Sequence, residues 1–129
     1  MKRFAVALLA CAFVAASLAS PVLAAGPSVS KSVLGSDDEI AVIVVRIAAS
    51  DRDIYGITIE DESGSIEDIV SPIGWSGVAG SELVAFGTVD RPIKAGSAKS
   101  FRIVTTNKDA SFTIRFRDKN SRFGTKKTI

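Results

Sequence analysis

The feature that most constrains the fold is a strict alternation of side chains near the C-terminal end of the sequence. Phe101, Ile103 and Thr105 alternate with other residues up to a polar break at 107–109, and the alternation resumes over 112–117. Aromatic and β-branched residues at a period of two are typical of strands with one buried face. The pattern predicts two consecutive antiparallel strands.

Further short strands, separated by turn signals, are predicted along most of the chain. They cover residues 30–34, 40–49, 55–60, 66–70, 83–88 and 124–129, while the glycine-rich stretch 73–81 is predicted as a bend. Seven or eight short strands without helical periodicity predict an all-β protein, a single antiparallel β-sandwich of immunoglobulin-like type. The predicted core is Val42, Val44, Tyr55, Ile57, Ile59, Trp75, Phe86, Phe101, Ile103, Phe112, Ile114 and Phe116.

The N-terminal residues have the pattern of a secretory signal peptide. Lys2 and Arg3 precede an uncharged apolar run, and Val22 and Ala24 occupy the −3 and −1 positions of a cleavage site. The run is shorter than the ~20 residues that a membrane span needs. We therefore expect cleavage after residue 24, and a periplasmic, cell-surface or extracellular protein with no integral membrane segment. Cys11 lies in a weak lipoprotein-like context, and lipidation there is the less favoured alternative.

Cleavage would leave 105 of the 129 residues, enough for one domain with a single core. We expect a lead-in at 25–36 and the sandwich at 37–129. Without residues 1–24 the chain has no cysteine and no histidine. This excludes disulfides, thiolate or histidine metal sites, cysteine nucleophiles and histidine-based triads.

Charge is balanced overall after cleavage but segregated along the chain. Residues 37–68 contain ten acidic and two basic residues, whereas residues 69–129 contain four acidic and eleven basic ones. A net charge of zero argues against nucleic acid as a partner.

Three short segments resemble exported prokaryotic immunoglobulin-like or fibronectin type III-like domains. They are Ile69 to Trp75 (IVSPIGW), Val84-Ala85-Phe86, and the turn Pro92 to Ser97 leading into Phe101. The resemblance implies the fold and no active site. Copper-binding members of the family use histidines, and this sequence contains none.

The acidic loop after residue 59 offers oxygen atoms for calcium, although its spacing does not match an EF-hand. We expect a solvated loop with no cofactor, and keep calcium as the alternative. The candidate calcium ligands are Asp61, Ser63, Glu67 and Asp68, with Asp51 and Asp53 as more distant contributors.

The C-terminal segment is basic and offers a patch for an acidic glycan, lipopolysaccharide or nucleic acid. Its basic residues are Arg115, Arg117, Lys119, Arg122, Lys126 and Lys127. In an immunoglobulin-like sandwich the third strand lies beside the strand that carries Arg115 and Arg117. Glu60 and its loop would then neutralise these arginines within one molecule. The alternative is a dipolar surface that binds a partner or a second copy.

Trp75 is the only tryptophan. We expect it to close one end of the sandwich, with stacking on a sugar as the alternative. Asp51, Asp53 and Glu60 are the acids that a hydrolase would use, but nothing in the sequence raises their pKa values.

The sequence therefore predicts a non-enzymatic exported protein that acts through protein–protein contact or self-association in the cell envelope. The alternative is a carbohydrate- or calcium-binding module, with Trp75, Arg115 and Arg117 as candidate ligand-binding residues.

Overall fold

The computed structural model of the protein describes residues 26–120, 124 and 126–129. The predicted signal peptide (1–24), with Cys11, lies outside these residues, as does Arg122. Over the described part of the chain all regular structure is β. The strands are β1 (Ser28–Ser36), β2 (Ala41–Ala48), β3 (Gly56–Glu60), β4 (Ile66–Val70), β5 (Ser76–Ala79), β6 (Leu83–Gly87), β7 (Ala98–Thr105), β8 (Thr113–Arg117) and β9 (Lys127–Thr128).

The strands form two antiparallel sheets that pack face to face around one core. The first sheet has the order β1-β2-β7-β4, and the second has the order β5-β6-β3-β8-β9. Most successive strands therefore lie in different sheets. The two strands of the C-terminal alternation are an example. Strands β7 and β8 are consecutive but not paired with each other, because residues 106–112 carry the chain from one sheet to the other.

The alternation predicted the inward-facing residues correctly on most strands. Nine of the twelve predicted core residues are buried, among them Phe101, Phe112 and Ile114 at 0% exposure. The predictions for Val42, Val44 and Tyr55 were wrong, since all three side chains are only partly buried. Strand β2 instead places Ile43, Val45 and Ile47 in the core.

The register of β2 explains this error. Ile43 lies opposite Ile103 on β7, and Val45 lies opposite Phe101. Side chains of opposite residues share one face of a sheet, so the inward face of β7 selects the odd-numbered residues of β2. Because β2 is apolar on both faces, its own sequence could not make this choice.

The sandwich begins earlier than predicted. Residues 25–36 were expected to be a lead-in, but β1 starts at Ser28 and pairs with β2 along its whole length. No helix within the part of the chain that the structure describes is long and apolar enough to cross a membrane.

The bend predicted at 73–81 contains a strand, β5, which pairs with β6. Gly77 lies opposite Phe86, and a Cβ atom there would stand 2.6 Å from Cδ1 of Ile69. Only glycine permits this close approach between the two sheets. The glycines of the segment thus serve a strand as well as a bend.

Gly96 has a φ of 84°, in the left-handed region that favours glycine over other residues. Because no atom lies within 4 Å of a Cβ built there, Gly96→Ala tests backbone conformation alone, and we expect a loss of about 1–2 kcal/mol in the free energy of unfolding. Gly35→Ala is the matched control, since it also meets no atom within 4 Å and lacks a positive φ. Equal effects of the two substitutions in urea unfolding would contradict this explanation.

Candidate functional site

The acidic loop between β3 and β4 crosses between the sheets and is organised around a buried carboxylate. Asp61 is 1% exposed. Its Oδ1 accepts hydrogen bonds from the backbone N–H and the hydroxyl of Ser63, at 3.0 and 2.6 Å. Its Oδ2 accepts from the backbone N–H (3.1 Å) and the hydroxyl of Ser65. The hydroxyl of Ser65 lies 2.8 Å from Oγ1 of Thr105 on β7, which anchors the loop to the first sheet.

These contacts give the carboxyl group a lowered pKa. Burial raises the pKa of Asp61, but the hydrogen bonds from Ser63 and Ser65 lower it more, so the net pKa lies below the usual 3.8. The loop was predicted to be solvated, and at Asp61 it is buried.

The four calcium candidates do not converge on one point. Ser63 donates to Asp61, whereas Glu67 and Asp68 are exposed on β4, at the bulge between Ile66 and Asp68. No group of three or more acidic side chains suited to a metal occurs among residues 26–120, 124 and 126–129.

Trp75 lies at the opposite end of the sandwich from this loop. It is 7% exposed, and its ring packs edge-on against Phe101 with centroids 5.1 Å apart. The indole N–H donates to the backbone carbonyl of Arg91 at 2.8 Å. The indole would have to leave the core to stack on a sugar.

Arg115 and Arg117 both lie on the outer face of the second sheet, beside β3 as expected. Arg115 is opposite Thr58, and Glu60 is diagonal to it. Arg117 lies across Gly56, where a Cβ would stand 2.4 Å from its Nε, and its Nη2 donates to the carbonyl of Tyr55 at 3.3 Å. The guanidinium of Arg117 therefore has a structural role in covering the sheet.

More than half of the acidic side chains lie at one end of the sandwich, which we call the acidic end. Four connections meet there, held by hydrogen bonds such as Asp61 N–H to the Glu82 carbonyl (2.8 Å) and Thr106 N–H to the Ser65 carbonyl (2.9 Å). Two ion pairs, Lys94–Asp53 and Arg52–Asp118, lie at the other end. The exposed acidic residues of the acidic end are Asp37, Asp38, Glu39, Glu60, Glu62, Glu82 and Asp109.

Three of the four sheet edges formed by the described residues carry features that hinder pairing with another strand. On β1, Lys31 donates to the carbonyl of Ala110 and lies 5.2 Å from the ring centroid of Phe112. Strand β4 has a bulge and two exposed acids, and β9 is only two residues long and contains Lys127. Inward charges, bulges and short edge strands are common protections against edge-to-edge association.

Strand β5 has no such protection. It has no charged residue and no bulge, and Val78 on its outer face is 74% exposed. The N–H of Gly80 donates to the carbonyl of Leu83 at 2.9 Å. Because bonded and non-bonded pairs alternate in an antiparallel ladder, Val78 then bonds to β6 while the backbone groups of Gly77 and Ala79 point to the open edge.

This edge strand was not predicted from the sequence, because glycine weakens the strand signal of residues 76–81. A usable signal was present: residues 76–81 contain no charged side chain in a protein that is 23% charged.

The comparisons with solved structures agree with this architecture. An uncharacterized protein from Nocardia farcinica, described as having an immunoglobulin-like fold, matches with a TM-score of 0.61 over 74% of this chain and 80% of that chain, at 12% identity. The fold is immunoglobulin-like. The immunoglobulin-like sandwich here departs in one respect from the usual order, since β4 and β5 intervene between the paired strands β3 and β6.

Two further matches are structures of a GH20 exo-β-N-acetylglucosaminidase from Vibrio harveyi, one an inactive mutant and one in complex with N-acetylglucosamine. Each has a TM-score of 0.50 and 13% identity, and covers 81% of this chain but only 17% of the glycosidase. No protein-family model matches the sequence, and no curated protein matches it significantly.

Proposed function

We propose that this chain is a non-enzymatic, exported β-sandwich protein that acts through protein–protein contact as a component of the cell envelope or cell surface. The open edge of β5 is the observation that carries this proposal. An exposed strand with free backbone N–H and C=O groups accepts another strand by β-augmentation, in which main-chain hydrogen bonds supply affinity and neighbouring side chains supply specificity.

The surroundings of β5 support the same function. Val78 and Leu83 lie diagonally on the outer face of the second sheet and are 74% and 52% exposed. Val78, Gly77 and Gly87 are among the residues that border a shallow groove of about 310 Å³. An added strand would cover this apolar surface.

The non-enzymatic part of the proposal is supported by the positions of the candidate acids. Asp53 accepts from the N–H of Ala95 at 2.9 Å and pairs with Lys94 at 3.9 Å. Glu60 lies at the far end of β3 from Asp51 and Asp53, so the three carboxylates do not face one substrate. The pattern of residues 1–24 supports export.

Val78→Lys tests the proposal at the edge itself. The tagged protein is cross-linked mildly in its native host, and we expect Val78→Lys to lower the yield of cross-linked species about tenfold or more. A lysine on an edge strand hinders strand pairing, and a loss of about 1.4 kcal/mol in binding free energy corresponds to a factor of ten in affinity. Mass spectrometry identifies the species. Val33→Lys, at a valine of 49% exposure on the β1 edge, is the control and should keep them. A wild-type protein that is recovered only as monomer, with no envelope protein, would refute the proposed function.

A further inference from the structure

We infer that the strand accepted by β5 is β5 of a second copy of this chain, and that the two copies form a two-fold dimer with one continuous ten-stranded sheet. This inference rests on the proposed function and names its partner. It follows from the backbone geometry of the edge, the side chains on it and the charges at its two ends.

The backbone of β5 is self-complementary in one antiparallel register. If the two-fold axis passes beside Val78, Gly77 of each copy lies opposite Ala79 of the other. These two residues carry the outward-pointing N–H and C=O groups, so the register uses all of them in four inter-strand hydrogen bonds. Val78 then faces Val78 of the second copy as a non-bonded pair, in which Cα atoms are about 4.5 Å apart and side chains are close.

The side chains on the edge favour this pairing. An axis perpendicular to the sheet keeps outer faces together, so the exposed side chains of both Val78 residues and both Leu83 residues come to lie on one surface. The segment 76–81 has no charge. Self-pairing therefore brings no like charges opposite each other, a condition that destabilises other strand pairs.

Charge complementarity selects a second copy over an unrelated strand. Glu82 lies just beyond β5 at the acidic end, and Arg91 covers Gly74 just before β5 at the other end, where a Cβ on Gly74 would stand 2.5 Å from Cδ of Arg91. The chain turns from β5 to β6 at Ser81 and Glu82. In the register centred on Val78, the two-fold axis places this turn of each copy beside the end of β5 that carries Gly74 and Arg91 in the other. The acidic end of each copy, with Glu82, thus lies on the same side as the Arg91 of the second copy, and both juxtapositions arise at once because the interface is isologous.

A disulfide tests the geometry directly. The full chain with Cys11→Ala, expressed with its own leader, has no other cysteine. We expect Val78→Cys in this background to give a disulfide-linked dimer on mild oxidation, because the Cα separation of a non-bonded pair lies within the range that a disulfide spans. Val33→Cys, on the β1 edge, is the matched control and should stay monomeric.

A charge exchange tests the register. Glu82→Arg and Arg91→Glu should each weaken dimerisation in sedimentation experiments, because each places like charges together. The double variant should restore it at least in part, which a purely structural role of either residue would not produce.

The outcomes separate this inference from the proposed function. A monomeric protein that still recovers a different envelope protein, lost in Val78→Lys, refutes the second copy and leaves the function in place. A monomeric protein with which no envelope protein is recovered refutes both the dimer and the proposed function. A dimer that cross-links equally through Val33→Cys refutes the β5 interface.

Discussion

Phe101→Ala is expected to lower the free energy of unfolding by about 3–5 kcal/mol, the largest effect of any substitution considered for this protein. Phe101 is fully buried on β7 and packs against the rings of Trp75 and Phe86, with centroids at 5.1 and 4.8 Å. It therefore joins the two sheets at the centre of the core. Its removal leaves a cavity that strands fixed by two ladders of hydrogen bonds cannot close.

Urea unfolding followed by the fluorescence of Trp75 measures this loss, since Trp75 is the only tryptophan and contacts Phe101 directly. Val104→Ala is the matched control on the same strand. Val104 faces outward and is only half-buried, so we expect a loss of about 1 kcal/mol or less. Similar losses for the two variants would show that the core is not centred on Phe101.

Asp61→Ala is expected to lower the free energy of unfolding by about 2–4 kcal/mol, because it removes a carboxylate that accepts hydrogen bonds from Ser63 and from both donors of the buried Ser65. The N–H of Ser65 and the hydroxyls of Ser63 and Ser65 would lose their acceptor. Glu62→Ala is the control: Glu62 is the exposed neighbour in the same loop, and its loss should change stability by no more than about 0.5 kcal/mol. Calcium should not restore the stability of Asp61→Ala if the carboxylate acts only through the loop.

The lowered pKa of Asp61 adds a pH dependence with a definite sign. A carboxylate whose pKa is lower in the folded state contributes stability that is complete above its unfolded pKa and is lost as the pH falls through the folded pKa. The difference in stability between the wild type and Asp61→Asn should therefore be constant near neutral pH and shrink below pH 3.8, the usual value. A difference that grows in acid would contradict the assignment of the lowered pKa.

The fold could be predicted from the sequence where one face of a strand is polar. On β7 and β8 the alternation of Phe101, Ile103, Ile114 and Phe116 identified the buried face correctly. On β2 the alternation could not identify the buried face, because the strand is apolar on both faces and its inward residues are decided by its pairing with β7. The alternation also carries no information on which sheet a strand joins, so the crossing between β7 and β8 could not be read from it.

The candidate site was harder to predict for two physical reasons. The burial of Asp61 depends on serine donors in its own loop and on Thr105, which is distant in sequence. The open edge of β5 depends on which strands have a neighbour, a property of the completed sheet. Glycine at position 77 further weakened the strand signal, although it is the residue that lets the two sheets approach there.

The interleaved order of the strands also determines when the protein can fold. Strand β7 lies between β2 and β4, and β3 lies between β6 and β8, so neither sheet can be completed before residues 98–117 are available. Pairings between distant segments form slowly, because the entropy of loop closure must be overcome first. The N-terminal half therefore cannot complete either sheet until the last third of the chain has been made. For the proposed export route this delay is an advantage, since it keeps the chain in a form that can be threaded through a membrane and defers folding to the far side.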